Sequence, residues 1–419
     1  MRDRGPVVLL TLVVGYGAFY LCRANVESSF PLLAADFGFT KTQLGTLSSI
    51  PIATYAVGKV VMGMFGDVIG GKRLMLLATS GSVLATFAFG ASSGLTAFVL
   101  FAALNRFFQS GGWSGAVSIV ARRFEPPRHG FVMGVLSTSY ELGNVLAILL
   151  CSAITRWLPG WRPLFFINPI LFAAVGVFVA VVLSAEPKAV PPPALPPFRG
   201  SAAPALVEPA ETTVGAIIAA LARKRAFWIA VVLSVLLTFL RVGFLTWTPT
   251  YLYELSRATG RGVVSAAIAK SAIFSSAGVV AALTVGTLSD RFGPGRRAPV
   301  MAVSLAMVVA LVVVLAHGDV RSPLVAALLI GGVGLFLLGP YSLLAGALAL
   351  DVSGKRGAAT AAGIIDGAGY LGASLAGIVL GGVADRWGWP AAFDVVAVAA
   401  FAATTVTGAW AVRVLRTTG

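Results

Sequence analysis

Charged residues are scarce in this chain of 419 residues. Asp, Glu, Lys and Arg together make up 11% of it, less than half of the roughly 25% that is usual in soluble domains. Apolar residues make up 58%, and so few charges cannot give a soluble core of that size a hydrated surface. The composition excludes a soluble enzyme, a secreted domain and a nucleic-acid-binding protein. It predicts a polytopic protein of the lipid bilayer, because about 20 mostly apolar residues form one membrane-spanning helix.

Cysteine and histidine are almost missing as well. The two cysteines, Cys22 and Cys151, lie in apolar runs and are interpreted as small packing residues, not as a disulfide. The two histidines, His129 and His317, lie in predicted loops, so we expect no histidine to titrate within the membrane. The chain has no phosphate-binding Gly-x-x-x-x-Gly-Lys-Ser/Thr motif, metal-ligand cluster, nucleophile-base pair or paired catalytic carboxylates. We therefore expect no cofactor, no metal and no enzymatic activity.

Apolar runs separated by turn-forming residues predict twelve membrane spans. They cover residues 8–33, 43–66, 74–91, 95–121, 131–156, 162–184, 227–252, 263–289, 298–316, 322–350, 357–383 and 390–413. The proline-rich segment 185–225 predicts a linker between a six-helix half at 1–184 and a second at 226–419. Because Lys and Arg gather in the loops on the side of both termini, we expect the linker and both termini in the cytoplasm, with the protein in the inner membrane.

The two halves share a repeated pattern. Gly63-Met-Phe-Gly66-Asp67, which follows the second span, matches Gly286-Thr-Leu-Ser-Asp290-Arg291 in the second half, and basic residues follow both. Each Asp can cap a neighbouring helix or pair with a loop arginine, which predicts a latch that breaks when the cytoplasmic side opens. Two related six-helix halves with the substrate held between them near the midplane are typical of rocker-type secondary transporters.

The duplicated pattern resembles the loop signature of the major facilitator superfamily, and Arg106-Phe-Phe-Gln109-Ser-Gly111 is similar to a second signature of that superfamily. The resemblance implies an all-α membrane protein with twelve transmembrane helices in two pseudo-symmetric six-helix bundles. It also places Arg106 towards the cytoplasmic end of the first half, where we expect it to act in the conformational change. The predicted conformational latch comprises Asp67, Arg73, Arg106, Asp290 and Arg291.

A narrower set of motifs resembles the organophosphate:phosphate antiporter family. It includes Gly15-Tyr16 to Asn25 in span 1, Tyr55-x-x-x-Lys59 in span 2, Leu240-Arg241 to Leu252 in span 7, and Gly369-Tyr370-Leu371-Gly372 in span 11. The resemblance extends over the whole chain except the linker. It implies a carrier for a small organic phosphate that exchanges it for inorganic phosphate.

Two arginines within the predicted spans, Arg23 and Arg241, occupy matching places in spans 1 and 7. A charge at membrane depth is costly and therefore marks a functional site. A symmetric pair of guanidinium groups would hold a phosphate from two sides, because each group is a planar fork that matches two phosphate oxygens. Lys59 adds a mobile positive charge, and tyrosines add hydrogen-bond donors. The predicted substrate-binding set is Arg23, Arg241, Lys59, Tyr16, Tyr20, Tyr55, Tyr140 and Tyr370.

Three acids at membrane depth depart from the pattern of the family. Tyr140 stands where the family is expected to have a histidine, and Glu141 follows it; Glu27 and Asp366 are the other two acids. Three explanations stay open. Glu27 pairs with Arg23 at i to i+4 spacing in the empty site; Glu141 or Asp366 carries a proton, which would make a symporter; or the acids bind a cationic part of a zwitterionic organophosphate or phosphonate.

The sequence thus predicts a secondary active transporter that moves an organic phosphate by rocker-switch alternating access in exchange for inorganic phosphate, acting as a monomer. An alternative is a proton-coupled symporter of organic carboxylates or zwitterionic phosphonates, because Thr246-Trp247-Thr248-Pro249 also resembles anion:cation symporters of the same superfamily. A third hypothesis is a transporter-like organophosphate sensor.

Overall fold

The computed structural model describes residues 5–125, 129–184, 214–260, 262–292, 297–344 and 358–418, and within these ranges every regular element is a helix. Helix α1 is followed by a 3-10 segment, Ala18–Cys22, before α2 begins. The helices are α1 Gly5–Gly17, α2 Ala24–Phe37, α3 Lys41–Ile69, α4 Gly71–Ala91, α5 Leu95–Arg123, α6 His129–Trp157, α7 Arg162–Ser184, α8 Val214–Ala222, α9 Arg225–Ala258, α10 Val264–Phe292, α11 Arg297–His317, α12 Pro323–Leu343, α13 Ala358–Ala373 and α14 Ala376–Thr418.

The predicted spans correspond to these helices. Among the described residues, ten helical stretches are long and apolar enough to cross a membrane. One of them, Ala361–Val412, contains two predicted spans, because the chain turns at Gly388, whose φ of 82° is a conformation that favours glycine. Helix α5 also has the length of a span, although polar residues such as Arg106 interrupt its apolar sequence. The all-α, twelve-span prediction is consistent with this arrangement.

The described residues add two details to the predicted organisation. A short helix, α8, lies within the predicted linker 185–225. Helix α12 ends at Leu343, whereas the predicted span runs from 322 to 350. Residues 345–350 of that span lie outside the described residues. The domain division at residues 184 and 226 stays a prediction.

Helix packing repeats between the N-terminal half (α1–α7) and the C-terminal half (α9–α14). In the N-terminal half α3 packs on α5 and α4 packs on α7; in the C-terminal half α10 packs on α12 and α11 packs on α14. The two halves contact each other through equivalent helices, because α3 lies against α14 and α6 lies against α10. This pairing is the structural counterpart of the repeat in the sequence.

An aromatic cluster packs the N-terminal half together. The indole of Trp161 is surrounded by Phe37, Phe89, Phe98 and Phe165, with ring centroids between 5.2 and 6.1 Å away. Trp161 is only 1% exposed. Buried aromatic rings provide large contact areas, so this cluster ties α2, α4, α5 and α7 to one another.

We expect Trp161→Ala to destabilise the protein by about 3–5 kcal/mol, because it leaves a cavity in this cluster. The measurement is the midpoint of thermal unfolding in detergent. The matched control is Trp157→Ala, since Trp157 is 78% exposed and should change the midpoint little. Equal shifts for the two variants would contradict the role of the cluster.

Candidate functional site

A cavity lies between the two halves. Helices of both halves contribute to its wall, and most of the polar side chains in the wall are basic or phenolic. Its lining includes Tyr20, Arg23, Glu27, Ser28, Arg106, Asn144, Arg241, Thr246 and Tyr370. The predicted arginine pair, Arg23 and Arg241, therefore faces one common space.

The break between α1 and α2 places Arg23 at the cavity wall. The 3-10 segment leaves backbone carbonyls without helical partners, and α5 supplies donors for them: Asn105 Nδ2 donates to Cys22 O at 2.6 Å and Gln109 Nε2 donates to the same oxygen at 3.1 Å. Glycines allow the backbone of α1 to approach α6, since a Cβ on Gly143 would lie 2.6 Å from Gly17 O. The end of the 3-10 segment thus holds Arg23 between α5 and the cavity.

Arg23 lies among neutral groups. Its Nε donates to Gln109 Oε1 at 2.9 Å, and its Nη1 donates to the Tyr20 hydroxyl at 3.3 Å. Its guanidinium carbon lies 4.6 Å from the ring centroid of Tyr20 and 5.1 Å from that of Tyr55. Its Nη2 is buried without a hydrogen-bond partner, and no carboxylate of the described residues forms an ion pair with it. Arg23 therefore has an unused donor and a positive charge that these carboxylates do not neutralise.

Arg241, on α9, has an acidic partner. Its Nη2 donates to Glu141 Oε1, on α6, at 3.1 Å. Its guanidinium carbon lies 5.1 Å from the ring centroid of Tyr341 and 6.0 Å from that of Tyr140. Arg241 Nε and Glu141 Oε2 are both buried without a hydrogen-bond partner. One hydrogen bond joins the two charges, and each group retains unused hydrogen-bonding capacity.

Lys59 connects the two halves. Its ammonium group on α3 forms an ion pair with Asp366 on α13. It also lies 4.6 Å from the ring centroid of Tyr370 and 5.5 Å from that of Tyr55. The two phenol rings come from opposite halves, with their centroids 5.1 Å apart. The cation and the two phenols therefore form one cluster across the interface.

Glu27 forms a different ion pair from the predicted one. Its carboxylate accepts a hydrogen bond from Arg106 Nη2 at 3.0 Å, so the predicted pairing of Glu27 with Arg23 is wrong. The physical reason is the 3-10 break: α2 begins after Arg23, which has a φ of −113°, so the two residues are not one turn apart on a regular helix. Arg106 accordingly lies in the cavity wall beside Glu27.

The remaining predicted residues are distributed differently. Tyr16 is buried beside the 3-10 segment, where its ring packs on Trp113 with centroids 5.0 Å apart. Arg73 is exposed near the start of α4. The side chains of Asp67, Asp290 and Arg291 lie outside the described residues, so the latch stays a prediction.

Sequence reasoning missed several polar residues of the site. Asn105 and Gln109 were not assigned to it, and neither were Asn144 and Tyr341. Asn144 Nδ2 donates to Ser275 Oγ at 2.7 Å across the two halves. The available signal was a polar side chain within an apolar span, since such a group needs a hydrogen-bond partner at membrane depth. Among the residues that the structure describes, no group of three His, Cys, Asp or Glu side chains is arranged to hold a metal.

The two halves are joined near the start of α3, in a region that we call the closed end, defined by Lys41, Thr42, Glu254, Asp385 and Trp389. Asp385 accepts hydrogen bonds from Lys41 N at 2.9 Å and from Thr42 N and Thr42 Oγ1 at 2.7 Å each. Glu254 pairs with Lys41 Nζ at 3.1 Å and accepts from Trp389 Nε1 at 2.7 Å. These charges of the C-terminal half thus hold the first turn of α3 in the N-terminal half.

Next to the closed end, the backbones of α3 and α14 touch. Gly45 and Gly377 approach so closely that a Cβ on either residue would overlap the other. Ile378 N donates to Ser49 Oγ at 3.0 Å. The structure is therefore a conformation in which the cavity is shut off at this end.

Comparisons with known proteins agree with this architecture. Residues 12–377 match the family model of the Major Facilitator Superfamily. The chain is 28% identical over 395 residues to a probable hexose phosphate transport protein of Chlamydia trachomatis, covering 91% of this chain and 85% of that protein. It is 26% identical to a glycerol-3-phosphate transporter of Bacillus subtilis (92% and 87%) and 28% identical to the membrane sensor protein UhpC of Escherichia coli (94% and 89%).

Solved structures support the fold. A bacterial homologue of the human lysosomal transporter Spinster, in an inward-facing and unoccupied conformation, aligns with a TM-score of 0.81 at 17% identity, covering 99% of this chain and 98% of that one. The nucleoside transporter NupG aligns with a TM-score of 0.71 at 16% identity, covering 96% and 98%. With a family model that matches most of its length and a twelve-span, two-half architecture, this multi-pass membrane protein belongs to the major facilitator superfamily.

Proposed function

We propose that this protein is a secondary transporter that moves a small organic phosphate across the membrane in exchange for inorganic phosphate. The observation that carries the proposal is Arg23, which lines the cavity between the two halves and has a buried Nη2 without a hydrogen-bond partner. A guanidinium donor without a partner at membrane depth marks a candidate site for an anionic ligand. The names of the relatives, a hexose phosphate transport protein and a glycerol-3-phosphate transporter, support phosphate as that anion.

The other side chains of the cavity suit a phosphate ester. Arg241 reaches the cavity from the C-terminal half, so the two guanidinium groups can bind the ligand from both halves. The rings of Tyr20, Tyr55 and Tyr370 surround the cations and offer hydroxyl groups without adding charge. A ligand held by both halves couples its binding to their relative movement, which alternating access requires.

The acids favour exchange over proton symport. Each of the three acids at membrane depth is in an ion pair, Glu27 with Arg106, Glu141 with Arg241 and Asp366 with Lys59. Each of these carboxylates is the counter-ion of a cation at membrane depth, and a buried cation left without its counter-ion is costly. We therefore infer that an anion gradient drives the transport. The protein would act as a monomer in the inner membrane, with both termini in the cytoplasm and no enzymatic activity.

A sensor is the second candidate. The similarity to the membrane sensor protein UhpC is as high as that to the hexose phosphate transport protein, at 28% identity. Purified protein in liposomes loaded with inorganic phosphate distinguishes the two: a transporter exchanges external organic phosphate for internal phosphate. Binding of the organic phosphate without any counterflow would favour the sensor.

We expect Arg23→Lys and Arg241→Lys each to lower phosphate exchange at least about tenfold, because lysine retains the charge but not the bidentate fork. The measurement is uptake of labelled inorganic phosphate into liposomes that contain unlabelled phosphate. The control is Arg321→Lys, since Arg321 pairs with Asp319 at the surface. Near-normal exchange by both cavity variants would contradict the two-arginine site.

We expect Asp385→Asn to open the closed end. An amide cannot replace the charged acceptor that Lys41 N, Thr42 N and Thr42 Oγ1 share, and hydrogen bonds to charged groups contribute about 1.5–3 kcal/mol each. Spin labels at Trp157→Cys and Trp387→Cys, both exposed and one in each half, report the separation by pulsed electron resonance. The variant should gain a population with a longer distance.

The matched control for that experiment is Asp319→Asn, which removes one carboxylate from the surface of the C-terminal half. It should leave the distance distribution unchanged. A distribution for Asp385→Asn identical to that of the wild type would show that Asp385 does not stabilise the closed end.

A further inference from the structure

The positive charges in and beside the cavity are neutralised unequally. Arg106, Lys59 and Arg241 each form an ion pair with an acid, whereas no carboxylate of the described part of the chain pairs with Arg23. Of the two arginines in the proposed phosphate site, one is therefore compensated and one is not. The formal charges of Arg23, Arg241 and Glu141 sum to one positive charge.

The Arg241–Glu141 pair is the most deeply buried of the three. The side chains of Arg241 and Glu141 are 8% and 7% exposed, whereas both side chains of the Arg106–Glu27 pair are 12% exposed and those of the Lys59–Asp366 pair are 24% and 30% exposed. At such burial the water that would screen Glu141 is excluded, so its charge acts strongly on any anion near Arg241. The Glu141 carboxylate is the counter-ion that the proposed phosphate site contains before substrate binds.

Each member of the pair also has an atom without a hydrogen-bond partner. A single hydrogen bond joins Arg241 Nη2 to Glu141 Oε1, while Arg241 Nε and Glu141 Oε2 remain unpartnered. An anion at Arg241 can use the free guanidinium donor, but it must approach a carboxylate that stays next to the same group. Each additional negative charge on the anion increases that repulsion, because the energy scales with the product of the charges.

We infer that Glu141 selects the charge of the bound anion and favours singly charged over doubly charged phosphates. This inference rests on the proposed function, because it assigns a role to a residue next to the proposed phosphate site. Glu141 exerts this effect through its charge, from its place next to Arg241. Replacing it with glutamine retains a similar shape and a carbonyl acceptor for Arg241 and removes only the charge.

Two fluorinated phosphates test the inference at one fixed pH. Difluorophosphate carries one negative charge at neutral pH and monofluorophosphate carries two, and the two anions are similar in size. Their affinities for the purified protein are measured by displacement of labelled inorganic phosphate. We expect Glu141→Gln to increase the affinity for monofluorophosphate, relative to that for difluorophosphate, by at least about tenfold.

Three further variants make the result specific. Glu141→Asp retains the charge and should retain the wild-type ratio of affinities. Glu125→Gln removes an exposed acid outside the cavity, changes the net charge by the same amount and should also leave the ratio unchanged. If Glu141→Gln fails to fold, Glu141→Met removes the charge at a similar volume and should show the same change.

The outcomes separate this inference from the proposed function. In one outcome the wild-type protein binds inorganic phosphate, but the uncharged Glu141 variant has an unchanged ratio of affinities for the two fluorinated anions. That outcome would overturn the charge-selection role alone. Equal changes in both affinities would mean a merely structural role and would overturn it as well. A wild-type protein that binds neither inorganic phosphate nor the two fluorinated anions would overturn the proposed function and, with it, this inference.

Discussion

The burial of positive charge at membrane depth is the constraint on which the rest of the site depends. A guanidinium or ammonium group in the bilayer interior loses its hydration and needs partners that replace it. The protein supplies these partners in two forms, acids for Lys59, Arg106 and Arg241 and phenol rings around Arg23. Because Arg23 has only neutral partners among the described residues, it retains the charge with which an anion can be bound.

The irregular backbone at Arg23 imposes a second requirement. A break in a membrane-spanning helix is tolerated only where other groups satisfy its free backbone atoms. Asn105 and Gln109 do this from α5, and Gln109 also accepts the hydrogen bond from Arg23 Nε. The same side chain thus satisfies the broken helix and orients the cation, so the backbone of α1 and α2 and the chemistry of the site depend on each other.

Much of the fold followed from the pattern of apolar runs, because a membrane span needs a long apolar stretch and a loop does not. The spacing of charged residues along the chain did not predict which of them form ion pairs. Glu27 and Arg23 are four residues apart, yet the 3-10 break removes the helical geometry that would bring them together, and Arg106 of α5 takes the carboxylate instead. The closed end could not be predicted either, since Lys41 and Asp385 are far apart in the chain and meet only when the two halves pack.

The sequence by itself determined the class of protein, the repeat of the two halves and the presence of two arginines at matching depths, because composition, periodicity and charge position are local properties of the chain. Only the tertiary structure decided which acid neutralises which cation, and that Arg23 has no acidic partner among the described residues. The physical reason is that ion pairing depends on distance, and the distances between helices are set by packing across the two halves. Neither helix periodicity nor the order of residues contains that information.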